Sequence, residues 1–99
     1  MLKIGKLKLK SNLILAPMAG ISDLPFRILN HRFGCELAFI EMINVRSLSY
    51  KVPKTKKMLS SSEEDRPLGI QILGCEEEFI LKAIDILSAY KYDVLDFNA

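Results

Sequence analysis

The 99-residue chain has no tryptophan, only two cysteines and a single histidine. Two thiols as far apart as Cys35 and Cys75, with one imidazole, make no metal-ligand spacing. Both thiols are therefore expected to be reduced and packed, as in a cytosolic protein. His31, in the stretch NHRFG, falls at an expected helix end, where the dipole tolerates either ring state; it is read as structural. No apolar run approaches the ~20 residues that cross a bilayer. The N-terminus, MLKIGKLKLK, alternates apolar residues with lysine and lacks the continuous apolar segment of a signal peptide. The expected setting is the cytoplasm, with no metal and no membrane. Gly and Pro are not enriched, and the length allows one domain with a modest core.

Charge is present but unevenly placed. The net value of +2 conceals a basic first part and an acidic remainder. Residues 1–58 carry eleven basic against three acidic residues, and residues 59–99 three against nine. The basic residues cluster at Lys3, Lys6, Lys8 and Lys10, then at Arg46, Lys51, Lys54, Lys56 and Lys57. Such patches neutralise phosphates. The plainer reading is a solvated surface, because lysine is mostly exposed in any case.

Four short apolar runs recur: Leu13–Ala16, Leu37–Ile40, Leu68–Leu73 and Val94–Phe97. Helix-like segments separate them, which gives the order β-α-β-α-β-α-β. Strands apolar on both faces and alternating with helices imply a parallel sheet covered by helices. A first helix is expected over Asp23–Phe33, capped by Ser22 or Asp23, with Pro25 in its first turn and Gly34 as its stop. Leu24 with Ile28 and Leu29 with Phe33 predict its inward stripe. The last helix opens on Glu76, Glu77 and Glu78, where negative charge suits the dipole. Its apolar rows are Phe79, Ala83, Leu87 and then Ile80, Ile84. Residues 44–62 predict one or two short helices interrupted at Pro53, with SSSEEDRP as a loop. Residues 1–12 predict a small hairpin with one wet face that plugs the bottom of a barrel.

In parallel α/β folds, function gathers at the carboxyl ends of strands. Each run here delivers something unusual there: Pro17-Met18-Ala19-Gly20, Glu41, Gln71, and Asp96-Phe97-Asn98. By alternation Gln71 shares a face with Gly69 and Leu73, and Asp96 and Asn98 share one with Val94. A buried amide without a partner costs about 1–3 kcal/mol, so Gln71 needs one. Glutamine offers a donor and an acceptor, matching the adjacent N–H and C=O of a uracil-like ring edge such as that of a flavin. The main chain of Pro17–Ala19 suits close approach to the same ring. The plain alternatives are that Gln71 bonds a neighbouring strand, Asp96 pairs with an arginine and Glu41 caps a helix.

The blocks LAPMAGISDLPFR, IEM at 40–42, KT at 54–55, RPLGIQILG and DFNA resemble the tRNA-dihydrouridine synthases, in that family's order and over nearly the whole chain. The resemblance implies an FMN-dependent (β/α)8 barrel that reduces uridine in tRNA with NADPH as reductant. It implies that Pro17, Met18 and Ala19 hold FMN through the main chain and Gln71 through its amide. Asn98 matches the residue beside the target uridine. The family continues through one further residue to Gly-Cys-Pro, whose cysteine is catalytic; neither Cys35 nor Cys75 matches it, so no catalytic residue is assigned. The later lysine and histidine that bind flavin phosphate, and the helical domain that grips tRNA, have no counterpart here.

The fold expected from all of this is the N-terminal half of a TIM (β/α)8 barrel truncated at the fourth strand. Residues 1–12 form its hairpin, and residues 13–99 form three βα units plus strand four. Open barrel edges would favour self-association. The rival readings are another FMN barrel of the dihydroorotate or dihydropyrimidine dehydrogenase kind, a non-catalytic RNA-binding remnant, and an open doubly wound sheet. The 99-residue chain alone is expected to bind FMN weakly or not at all and to lack reductase activity. Tight, stoichiometric yellow flavin on the purified chain would contradict this.

Overall fold

The structure, a computed structural model, describes residues 2–99. A hairpin of β1 (Leu2–Ile4) and β2 (Leu7–Leu9) turns on Gly5, whose φ of +57° is a left-handed conformation open to glycine. Then come β3 (Ile14–Leu15), α1 (Leu24–Arg32), β4 (Leu37–Phe39), β5 (Ile43–Asn44), α2 (Val45–Ser49) and α3 (Pro53–Met58). The chain closes with β6 (Leu68–Leu73), α4 (Glu77–Leu87) and β7 (Val94–Asn98). The hairpin strands are antiparallel, whereas every pairing in the five-stranded sheet is parallel.

β7 occupies one edge of β6 over its whole length from Gly69 to Leu73, so β4 and β5 must share the other edge. They are one strand interrupted by a bulge. Three residues, 40–42, separate Phe39 from Ile43, while only two, 70–71, separate their partners Gly69 and Ile72. The strands therefore succeed one another across the sheet in chain order, without the reversal that defines a doubly wound sheet. β3 and β7 are its open edges.

Packing is one-sided. Ile40, Ile43, Leu68, Ile70 and Ile72 project toward the helices and pack with Val45, Leu48, Leu59, Ala83 and Leu87. The opposite face carries Gly69, Gln71, Val94, Asp96 and Asn98. On it the Phe39 ring lies so close to Gly69 that a Cβ there would come within 2.5 Å of Cε2. Only glycine leaves room for that ring. Ile84, expected in an inward row of α4, is exposed. In the hairpin Leu9 is buried, while Leu2 and Ile4 remain largely exposed.

The first helix departs from its predicted stripe. Asp23 caps it by accepting from the Phe26 N–H at 3.1 Å, but Leu29 and Phe33 face solvent, Phe33 with 82% of its surface exposed. The residue turned fully inward is Arg27, 1% exposed. Its Nε donates to Asp65 Oδ2 at 3.0 Å, Nη1 to the Ser22 carbonyl at 2.8 Å, and Nη2 to the Ser60 carbonyl at 2.8 Å. The stripe rotates because a buried guanidinium needs every one of these acceptors, and they lie on that side. His31 stands one turn on, with Nδ1 donating to the Cys35 carbonyl at 3.0 Å and Nε2 at 3.3 Å from Asp65 Oδ1. It is structural, held by its neighbours rather than by the helix dipole. Burial pushes the Cys35 thiol up, and its Sγ donates to the Leu37 carbonyl at 3.2 Å. Cys75, expected to be packed, is instead solvent-exposed, because it lies in the loop between β6 and α4. Among the described residues no helix is long and apolar enough to cross a membrane, and no three His, Cys, Asp or Glu residues are placed to hold a metal.

Two predictions concern these anchors. Arg27→Met should lower stability by about 3–5 kcal/mol in urea unfolding, because it strands the buried Asp65 carboxylate; Arg27→Met with Asp65→Leu should recover part of that loss. An unchanged midpoint in the single variant would refute the anchor. At the amino end of the sheet, burial raises the Asp93 proton affinity, but bonds from Arg66 and the Leu68 N–H, with the Arg66 charge, outweigh it and hold the carboxyl below its ordinary value. The folded form thus binds this proton less readily than the unfolded chain. The stabilisation is full above the ordinary carboxylate range, about pH 4, and is lost as pH falls through the depressed folded value. Asp93→Asn should flatten the acid limb of the unfolding curve.

Candidate functional site

The register fixes which residues share a rim. Leu15, Ala38 and Leu68 stand at one level across three strands. Met18, Glu41 and Gln71 each lie three residues further along, Met18 and Glu41 past the carboxyl ends of β3 and β4 and Gln71 within the carboxyl half of β6, where it is paired with Asp96. The segment after β3 and the amide on β6 therefore occupy the same rim.

The segment after β3 is a closed turn. Met18 accepts from the Ile21 and Ser22 N–H groups at 3.0 and 2.9 Å. The buried Ser22 hydroxyl accepts from the Met18 N–H at 2.9 Å and returns a hydrogen bond to the Met18 carbonyl at 3.2 Å. Gly20, at φ +75°, completes the bend. Its N–H donates to Glu41 Oε2 at 2.9 Å, so the bulge in the second strand braces the turn after the first. Glu41, for which helix capping was the plain alternative, bonds this turn instead. Arg27 holds the far end through the Ser22 carbonyl. Of Pro17, Met18 and Ala19, proline has no N–H and the Met18 N–H is engaged, which leaves Ala19 as the residue whose N–H is unpaired among the described residues.

Gln71 is half-buried, and its Nε2 donates to Asp96 Oδ2 at 2.5 Å. The neighbouring-strand partner is real, and Asp96 pairs with this amide rather than with an arginine. A carboxylate only accepts, so the bond sets which end of the amide faces β7. Gln71 keeps its carbonyl and a second N–H for another partner. Asn98, two residues beyond Asp96 on the same face, donates from Nδ2 to Met42 Sδ at 3.5 Å. Met42 lies in the bulge. Arg27 and Ser22, which brace the turn, and Asp96, which holds the amide, were assigned no such role from the sequence. The signal for Arg27 was an arginine within an otherwise inward helical stripe.

One unpaired main-chain N–H in a turn of small residues and an oriented amide offer the donor and acceptor groups that suit a flat heterocycle with adjoining donor and acceptor atoms. The model of the family described as dihydrouridine synthase matches residues 14–99. The chain is 35% identical over 97 residues to tRNA-dihydrouridine synthase B of Pasteurella multocida, covering 98% of this chain and 29% of that protein. It is 36% identical over 99 residues to a probable tRNA-dihydrouridine synthase of Rickettsia bellii, covering 99% and 30%. It is 38% identical over 92 residues to the probable enzyme of Helicobacter pylori, covering 92% and 28%. The chain thus spans about 30% of the length of the curated relatives it matches.

The orientation of Gln71 is testable without any ligand. In Asp96→Asn, the Gln71 side-chain amide protons should exchange faster with water and shift upfield in 15N–1H spectra, since a charge-assisted bond is replaced by a weaker one. Identical Gln71 signals in both proteins would show that Asp96 does not hold the amide.

Proposed function

We propose, from the premise that this chain belongs to the dihydrouridine synthase family, that its carboxyl rim binds a flavin and the target nucleoside in the reduction of uridine to dihydrouridine in tRNA. The observation that carries the reading is the convergence on one rim of the Ala19 N–H and a Gln71 amide already oriented by Asp96. Strand order supports a (β/α)8 wall, which would continue from the open edges of β3 and β7.

The residues present fit FMN. Ala19 offers an unpaired main-chain donor beside small side chains, and Gln71 offers a carbonyl and an N–H toward an edge that carries both. Pro17 and Met18 shape the approach, while the Met18 main chain is committed to Ser22. When bound, FMN supplies the hydride chemistry, with NADPH as the external reductant. This chain's own contribution is orientation. Glu41 and Ser22 hold the turn rigid, Asp96 fixes the amide, and Asn98 offers a side-chain carbonyl and amide to a uracil edge. The Asn98 amide rests on Met42, which limits its rotation.

NMR titration with FMN checks the reading even where affinity is weak. Shifts are expected at the Ala19 backbone amide and the Gln71 side chain, and Gln71→Leu should weaken binding about tenfold, the loss of one good hydrogen bond. Shifts confined to the N-terminal hairpin, or none at saturating flavin, would overturn it.

A further inference from the structure

A concavity of about 780 Å³ adjoins the rim, sharing Ala19, Gly20 and Glu41 with it. Ala19 and Gly20, the bulge residues Glu41 and Met42, and α3 all contribute to its lining. Much of its lining is apolar: Leu24, Pro25, Met42 and Met58. Both of its acids are engaged, Asp23 with the Phe26 N–H and Glu41 with the Gly20 N–H. Both of its cations, Lys54 and Lys57, are unpaired among the described residues.

That contrast runs through the molecule. All four arginines form ion pairs within the chain: Arg27 with Asp65, Arg32 with Glu64, Arg46 with Glu76 and Arg66 with Asp93. Of the lysines only Lys82 does so among the described residues. Arginine serves the fold, and lysine is left for solvent or for a polyanion. Lys54 and Lys57, three residues apart on α3, turn to the same concavity. Lys51 and Lys56 border a different hollow against α4.

We infer that this concavity receives a nucleotide of a single-stranded RNA segment, its base on the apolar lining and its flanking phosphates at Lys54 and Lys57. The inference rests on the reading that the partner is tRNA, and it names where that partner's backbone is held. Apolar lining with flanking cations is the combination that binds unstacked bases. Met42 ties the place to the chemistry, since it lines the concavity and accepts from Asn98. The nucleotide held there is a neighbour of the one that is reduced.

The test is anisotropy of a labelled, unmodified tRNA transcript with the 99-residue chain across a salt series, without flavin. A failed flavin titration therefore leaves its result untouched. Removing two single-strand phosphate contacts should lower the salt slope by about 1.4. Lys54→Gln with Lys57→Gln should show that drop, and Lys54→Arg with Lys57→Arg should retain the slope. The charge-matched pair Lys6→Gln with Lys8→Gln, on the hairpin, should leave it nearly unchanged. Circular dichroism confirms that each variant is folded. Equal loss from the hairpin pair, equal displacement of the RNA by polyglutamate, or no salt-dependent binding by the unmutated chain would each overturn the inference.

Discussion

A guanidinium buried to 1% exposure is tolerated only where its donors are met, and the Arg27 side chain finds acceptors in three separate parts of the chain. Ser22 ends the turn after β3, Ser60 ends the segment after α3, and Asp65 stands just before β6. One side chain thus sets where the first strand's turn lies relative to the loop that feeds the third strand. Hydrophobic packing could not do this as selectively, since apolar contacts are non-directional and tolerate sliding. The site inherits this constraint, because the Ser22 residue that Arg27 holds by its carbonyl is the same one whose hydroxyl closes on Met18.

The bulge between β4 and β5 adds a second constraint. An extra residue in one strand re-aims the side chains beyond it. Here it allows the strand to resume pairing with β6 while Glu41 reaches back to Gly20 and Met42 projects toward Asn98. The sheet stays in register, and two side chains are freed for the rim. Strand order, bulge and buried arginine then agree on one surface, which is the consistency across levels expected of a sequence that specifies a single structure.

The strands and the two long helices were legible because their signals are local: apolar runs of strand length, Asp23 as a cap, Gly34 as a stop. β6 was read to the residue, and β7 extends only to Asn98, one position further than its apolar run. The bulge was not legible, because it is defined only by comparing two pairings with β6. The face of α1 was misread at Leu29 and Phe33, since apolar periodicity counts an arginine as an outward residue. Only Asp65, far along the chain, reverses that. Cys75 was misplaced for a similar reason: a thiol is usually buried, but its loop position outweighs that tendency. The candidate site residues came from strand-end logic and motif, whereas their supports, Ser22, Arg27 and Asp96, depend on contacts between distant segments.

At Gln71 a structural partner and the proposed ligand role need not compete. Its amide has two N–H donors and a carbonyl with two lone pairs, and the bond to Asp96 occupies one donor. A glutamine free at this rim would sample both amide orientations and present donor and acceptor to a ring edge in either order. With one N–H held by a carboxylate, the carbonyl must face away from β7, and only one order remains. Under the proposed function, the contact that looked like the ordinary explanation for a polar residue in a sheet would make the residue selective. Orientation is settled before any ligand arrives, so less of the binding free energy is consumed in ordering the side chain.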